Sequence, residues 1–127
     1  MKEIVPVLKD DKNQSLIPSD WRETFSSIVE AFVEGDFKLE RGVVGVLPVS
    51  SEDALKIEKN IQFYGATLTR LPEDAWNTSA CQWMRGYWDV LIDLYTIEEG
   101  ASDLVLVVRV REDGQAYTFE VQSVHVP

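Results

Sequence analysis

A chain of 127 residues, 45% hydrophobic and 27% charged, has the make-up of one ordinary folded domain with one core. Its 22 Asp and Glu stand against 12 Lys and Arg, a formal net charge of −10 that repels nucleic-acid phosphates and anionic membranes and excludes a nucleic-acid binder. One cysteine rules out an internal disulfide, no apolar run reaches the roughly 18–20 residues of a membrane helix, and the charged start MKEIVPVLKDDKNQ is unlike a signal peptide; a cytoplasmic protein without membrane association is expected.

Residues 1–17 carry Ile4, Val5, Val7 and Leu8 and then a polar run, and Pro6 disfavours a central strand, so they read as an amino-terminal arm or added edge strand. Residues 18–127 read as one α+β domain. Pro18-Ser19-Asp20 opens the first helix, with Asp20 as N-cap and Glu23 at the capping-box spacing. Trp21, Phe25, Ile28, Val29, Phe32 and Val33 then form one apolar helical stripe, ended by Gly35. The run GVVGVLPV, residues 42–49, suggests a strand, with Gly45 marking a bulge or a close backbone approach and Pro48 its end. Ser50 or Ser51 caps a second helix whose buried face is Ala54, Ile57, Ile61 and Tyr64, ended by Gly65. Residues 66–71 suggest a short strand, and 72–78 a loop or single helical turn with Trp76 folded onto the core.

The carboxy-terminal part reads as a three-strand meander. Residues 79–84 suggest a strand that turns at Arg85-Gly86 into a long strand over 87–96, in which Trp88, Val90, Ile92 and Leu94 face the core and Tyr87, Asp89, Leu91, Asp93 and Tyr95 face away. In the next strand Leu104, Leu106, Val108 and Val110 face in, and Val105, Val107, Arg109 and Arg111 face out. Asp113-Gly114 is a hairpin signal, after which Tyr117, Phe119 and Val121 point inward and Glu120 and Gln122 outward. The fold class expected is α+β: two helices packed on one face of a curved, mainly antiparallel sheet with a C-terminal three-strand meander. The order of elements is similar to the cone of the nuclear-transport-factor-2 type, without its third amino-terminal helix.

No recognised catalytic signature, cofactor motif or metal-ligand set is present. Cys81 lies among apolar neighbours with no base nearby and reads as a small buried hydrophobe. Glu98, Glu99 and Asp103 around Gly100 do not have the spacing of a calcium loop; a structural turn, with Ser102 or Asp103 bonding back and Gly100 at positive φ, fits them better. Two arrangements would suit an enzyme: His125 with Asp93, or the carboxylates Asp89 and Asp93, which on one strand face are expected about 7 Å apart at the backbone, close enough to couple. The outward sheet face, which gathers Asp89, Asp93, Tyr95 and Arg109, reads either as a solvated face with cross-strand ion pairs or as a polar binding face for a protein.

The run WDVLIDLYTIEEGASDLVLVVRV resembles a group of small, acidic, uncharacterised bacterial proteins sharing a YW-x-V-x-x-DL-x-T-x-EEG-x-SDL block. Here its elements are Tyr87, Trp88, Val90, Asp93, Leu94, Thr96, Glu98, Glu99, Gly100, Ser102, Asp103 and Leu104, with NIQFYG upstream and Val124-His125-Val126-Pro127 as the tail. The resemblance carries no activity and no catalytic residue. Acidic proteins of this size are similar in kind to bacterial immunity proteins, which implies a basic, toxin-like protein partner. The partner-binding residues expected are Asp89, Asp93, Tyr95, Glu98, Glu99, Asp103 and Arg109, with no cofactor. The alternatives are a small-molecule binder or enzyme with a cone-shaped pocket lined by Trp83, Tyr87, Trp88, Tyr95 and Asp93, and a structural homodimer centred on Val105 and Val107.

Overall fold

The computed structural model describes residues 4–127. The first three residues of the expected amino-terminal arm lie outside that range. A single 3-10 turn, Ser19–Trp21, leads into helix α1, Arg22–Val33, which buries Phe25, Ile28, Val29, Ala31 and Phe32. The helix is where the apolar stripe puts it, but Asp20 does not cap it. Asp20 sits inside the 3-10 turn, which Pro18 precedes with no side-chain cap. Ser19 instead ties the arm down: its hydroxyl accepts from the Val5 amide at 2.8 Å, and its own amide donates to the Val5 carbonyl at 2.9 Å.

Helix α2, Ser51–Tyr64, follows the sequence closely. The Ser50 hydroxyl accepts from the Asp53 amide at 3.1 Å, which satisfies one of the orphan donors of the first turn. Ala54, Ile57 and Ile61 are buried, and Gly65 ends the helix at φ 85°. The expected strand over 42–49 is absent. Gly42 and Gly45 both take positive φ, so the chain turns there and meets the sheet through one parallel bridge, Val46 to Phe119. Gly45 is a close approach, as its position suggested: a Cβ there would stand 3.3 Å from the Tyr117 carbonyl oxygen.

The sheet has five strands: β1 (Leu68–Thr69), β2 (Ala80–Trp83), β3 (Trp88–Thr96), β4 (Gly100–Asp113) and β5 (Ala116–His125). All of its strand pairs are antiparallel. β4 and then β5 lie on one side of β3, while β1 and β2 share the other side, β2 beside the start of β3 and β1 beside its end. A four-residue helix, α3 (Ala75–Thr78), buries Trp76 between β1 and β2 in the chain. The meander is longer than its sequence pattern, because β4 starts at Gly100 and absorbs residues 100–103 of the expected loop. The last hairpin turns at Gly114-Gln115, one residue later than Asp-Gly implies, with Gly114 at φ 64° in the first central position.

Both long helices cover one face of this sheet, and the fold is α+β. The inner face of β3 and β4 is apolar until the buried Thr96 at the end of β3: Trp88, Val90, Ile92, Leu94, Leu104, Leu106, Val108 and Val110 are buried. Alternation in β5 survives a bulge opposite Val107/Val108, so that Val121 and Val124 both point inward with Gln122 and Ser123 between them. Trp21 packs edge-on against Trp88, Tyr117 and Phe119 at 5.1–5.9 Å between ring centroids. The Trp88 indole N–H reaches the arm, donating to the Leu8 carbonyl at 2.8 Å. Further along the arm Ser15 pairs with Cys81 through two backbone hydrogen bonds of 2.8 and 2.9 Å, and Ile17 is fully buried. Among the described residues no helix is long and apolar enough to cross a membrane.

Candidate functional site

Helices cover the inner face of the sheet, so candidate site residues on the meander emerge on the outer one. Strand register arranges them in rows across β2, β3, β4 and β5. One row runs Gln82, Asp89, Arg109, Glu120; the next runs Ala80, Leu91, Val107, Ser123. A third takes in Asp93, Val105 and His125. Apart from the exposed Leu91, these side chains are half-buried.

Asp89 and Arg109 face each other at 3.6 Å, an ion pair too long for a hydrogen bond. The Arg109 guanidinium lies instead over the Tyr87 ring, 4.1 Å from its centroid, with Arg111 farther out at 5.9 Å. Stacking on an aromatic face satisfies a planar, weakly hydrated cation and holds it away from a carboxylate. Asp89 Oδ1 and Arg109 Nε are consequently buried with no hydrogen-bond partner. Arg111 pairs with Glu120 at 3.7 Å.

Asp93 and Tyr95 are on the same face, beyond Leu91. Asp93 lies four positions along the strand from Asp89, about 13 Å at the backbone rather than the expected distance of about 7 Å, too far apart for a carboxylate pair. His125 lies in the row of Asp93 with Val105 between them, two strand spacings or roughly 10 Å away, and no direct proton relay connects them. His125 Nδ1 is within 2.9 Å of the Ser123 hydroxyl. The five residues of the expected cone-shaped pocket do not line one cavity: Trp88 is fully buried on the inner face, whereas Asp93 and Tyr95 emerge on the outer.

Glu98, Glu99 and Asp103 belong to a second arrangement, at the β3–β4 turn. The two Glu98 carboxylate oxygens accept from the Thr67 amide at 2.8 Å and the Thr67 hydroxyl at 2.9 Å. Those bonds hold its carboxyl below the usual range. The Tyr64 hydroxyl donates to Glu99 at 2.8–2.9 Å and accepts from the Asp103 amide at 3.1 Å. The Asp103 amide pulls the Tyr64 phenol down, but the neighbouring Glu99 carboxylate and burial outweigh it and leave the phenol raised. Thr96, buried, accepts from the Glu99 amide at 3.1 Å and contacts its carboxylate at 3.3 Å. The Ser102 hydroxyl donates to the Leu94 carbonyl at 2.7 Å, and Gly100 has φ 77°. The turn is thus clasped to the α2–β1 connection. The sequence places Tyr64 on the apolar face of the second helix and in NIQFYG, and Thr67 in a short alternating run, and neither position points to this clasp.

Cys81 is buried, and desolvation pushes its thiol up to about 11, which keeps it protonated and inert at neutral pH. Among the described residues no three His, Cys, Asp or Glu side chains are grouped to hold a metal ion. Gln14 from the arm and Met84 join Ala80, Gln82, Asp89, Leu91 and Val107 around a recess of about 240 Å³ on the outer face. Sequence periodicity could not find it, because it depends on where the arm comes to rest.

No curated protein and no solved structure matches the chain. A family model described as Domain of unknown function (DUF7668) matches residues 29–127, the whole of the sheet, α2 and the carboxy-terminal end of α1. On that match the chain belongs to the DUF7668 family.

Proposed function

We propose that this chain is a non-enzymatic, acidic protein-binding protein of the bacterial cytoplasm, and that it acts as immunity proteins do, by covering the working surface of a basic, toxin-like partner. The YW-x-V-x-x-DL-x-T-x-EEG-x-SDL block is, in this reading, the pattern by which its relatives are known, and its acidic residues divide between the outer face and the turn. One observation carries the proposal: the helices leave the outer sheet face open, and the chain that presents it carries a net charge of −10. An open face of half-buried polar and apolar side chains has the make-up of a protein interface. An excess of negative charge steers a basic partner onto it.

Asp89, Asp93, Tyr95 and Arg109 are the contact residues on the face, with Glu98, Glu99 and Asp103 at its acidic end. The test is functional: the gene beside this one is expressed alone and together with this chain. Growth arrest by the neighbour, relieved by co-expression and accompanied by a co-purifying complex whose association slows with salt, supports the proposal. A harmless neighbour together with the absence of any stable protein partner overturns it. The same face supports a second reading, self-association, because Leu91, Val105 and Val107 give it an apolar centre; light scattering showing a monomer removes that reading.

A further inference from the structure

We infer that the recess lined by Gln14, Ala80, Gln82, Met84, Asp89, Leu91 and Val107 is a socket for one long cationic side chain, lysine or arginine, presented by a protein partner. The inference rests on the protein-binding reading and names the chemistry of its central contact.

Shape comes first. Two adjacent rows of the sheet build the recess, and it encloses about 240 Å³, room for one extended side chain. Its walls are chemically divided. Ala80, Leu91, Val107 and Met84 present apolar surface, and Met84 and Leu91 are exposed at 44% and 39%. Methylene stems of lysine and arginine pack on such surface while their charged ends seek oxygen.

The polar wall holds one charged group, Asp89, beside the carboxamides of Gln14 and Gln82. Asp89 lies in it, and among the described residues no hydrogen bond is made to its carboxylate; its only partner is Arg109 at 3.6 Å. That arginine is held on the Tyr87 ring, and neither Arg109 nor Arg111 lines the recess. Gln82 donates its side-chain amide hydrogens to the Asp10 and Trp83 carbonyls, each at 3.2 Å, which leaves its oxygen as the free end. Asp89 Oδ1 is buried against Arg109, and an incoming ammonium or guanidinium would give the other carboxylate oxygen, Oδ2, the charge-assisted hydrogen bond it lacks. An incoming carboxylate or phosphate would meet like charge, from Asp89 and from the chain as a whole.

The probes are Nα-acetyl-lysine methylamide, its arginine counterpart, and the neutral Nα-acetyl-norleucine methylamide, each titrated into the full chain and followed by amide shifts of Gln14, Gln82 and Asp89 in NMR spectra. Saturable shifts centred on those residues are expected with the two cationic probes. Asp89→Asn should weaken them by about tenfold or more, the usual value of a hydrogen bond to a charged group. Val107→Phe, which fills the recess while keeping a good strand former, should abolish them, and it stands in if the first variant folds poorly. Equal response to the norleucine probe, or shifts scattered over the acidic surface and indifferent to both variants, overturns the socket. The two readings fail separately. A partner that binds the D89N and V107F chains as tightly as the native one removes the socket and leaves protein binding intact. A chain with no protein partner that still shows the local shifts removes the protein-binding reading alone.

Discussion

Glu98 and Asp89 are both carboxylates near the surface of the β3–β4 hairpin, and their surroundings differ in kind. Glu98 accepts two hydrogen bonds from Thr67, and its neighbour Glu99 is taken up by Tyr64 and Thr96. Asp89 accepts none among the described residues and faces a cation that an aromatic ring holds off. A carboxylate whose acceptor sites are filled by its own chain has its strongest interactions already made, and it closes a turn. One whose sites are unfilled is poorer as structure and better placed to take a donor from outside. Charge alone does not separate the two cases; the count of satisfied acceptors does.

Breaking the turn should have the largest effect on stability. Thr96→Val removes a buried hydroxyl that accepts from the Glu99 amide and contacts its carboxylate, and should cost about 1–3 kcal/mol in urea unfolding. A loss no greater than that of an exposed substitution would show that the clasp is ornamental. Gly100→Ala comes next. Space is open around Gly100, but its φ of 77° is strained for any side chain, so about 1 kcal/mol should be lost with no change in the unfolded baseline.

The third effect is one of pH. Thr67 holds the Glu98 carboxyl below its ordinary value, so the stabilisation is fully present above that value and fades as pH falls through the depressed one. Thermal midpoints measured from about pH 6 to about pH 3 should therefore drop less steeply for Glu98→Gln than for the native chain. Parallel curves would mean that Thr67 does not favour the charged form. The smallest stability effect belongs to Asp89→Asn, within about 0.5 kcal/mol of native, because it deletes a long ion pair about one-third exposed. A loss matching that of Thr96→Val would place Asp89 with the structural carboxylates and erase the contrast.

The meander was legible because Trp88, Val90, Ile92 and Leu94 alternate without interruption and their partners on β4 do the same, so one register buries both rows. Both helices were legible from their stripes and terminal glycines. What misled was local: GVVGVLPV has strand-forming residues, but Gly42 and Gly45 both take positive φ and turn the chain, and the Tyr117 carbonyl lies against the space a Cβ at Gly45 would fill. Asp20 had the spacing of a cap, yet the chain enters α1 through a 3-10 turn that Ser19 anchors to Val5. At the candidate site the outward set was readable, but its chemistry was not. The stacking of Arg109 on Tyr87, the contribution of Gln14, and the pairing of Tyr64 with Glu99 bring together residues far apart in the chain (Gln14 and Val107 at the extreme), and no period encodes such contacts.

The two bridges outside the sheet bear on the fate of the protein at high concentration. Ser15 occupies the amide and carbonyl of Cys81 on the outer side of β2, and Gly45 and Leu47 do the same for Phe119 on the outer side of β5, where the Asn60 side chain also covers the Val124 carbonyl at 2.8 Å. Exposed strand borders are where copies of a chain template one another into aggregates. The arm and the glycine-bearing loop act as end-stops against such polymerisation: at these positions a neighbouring copy finds no unpaired amide on which a runaway ladder could start.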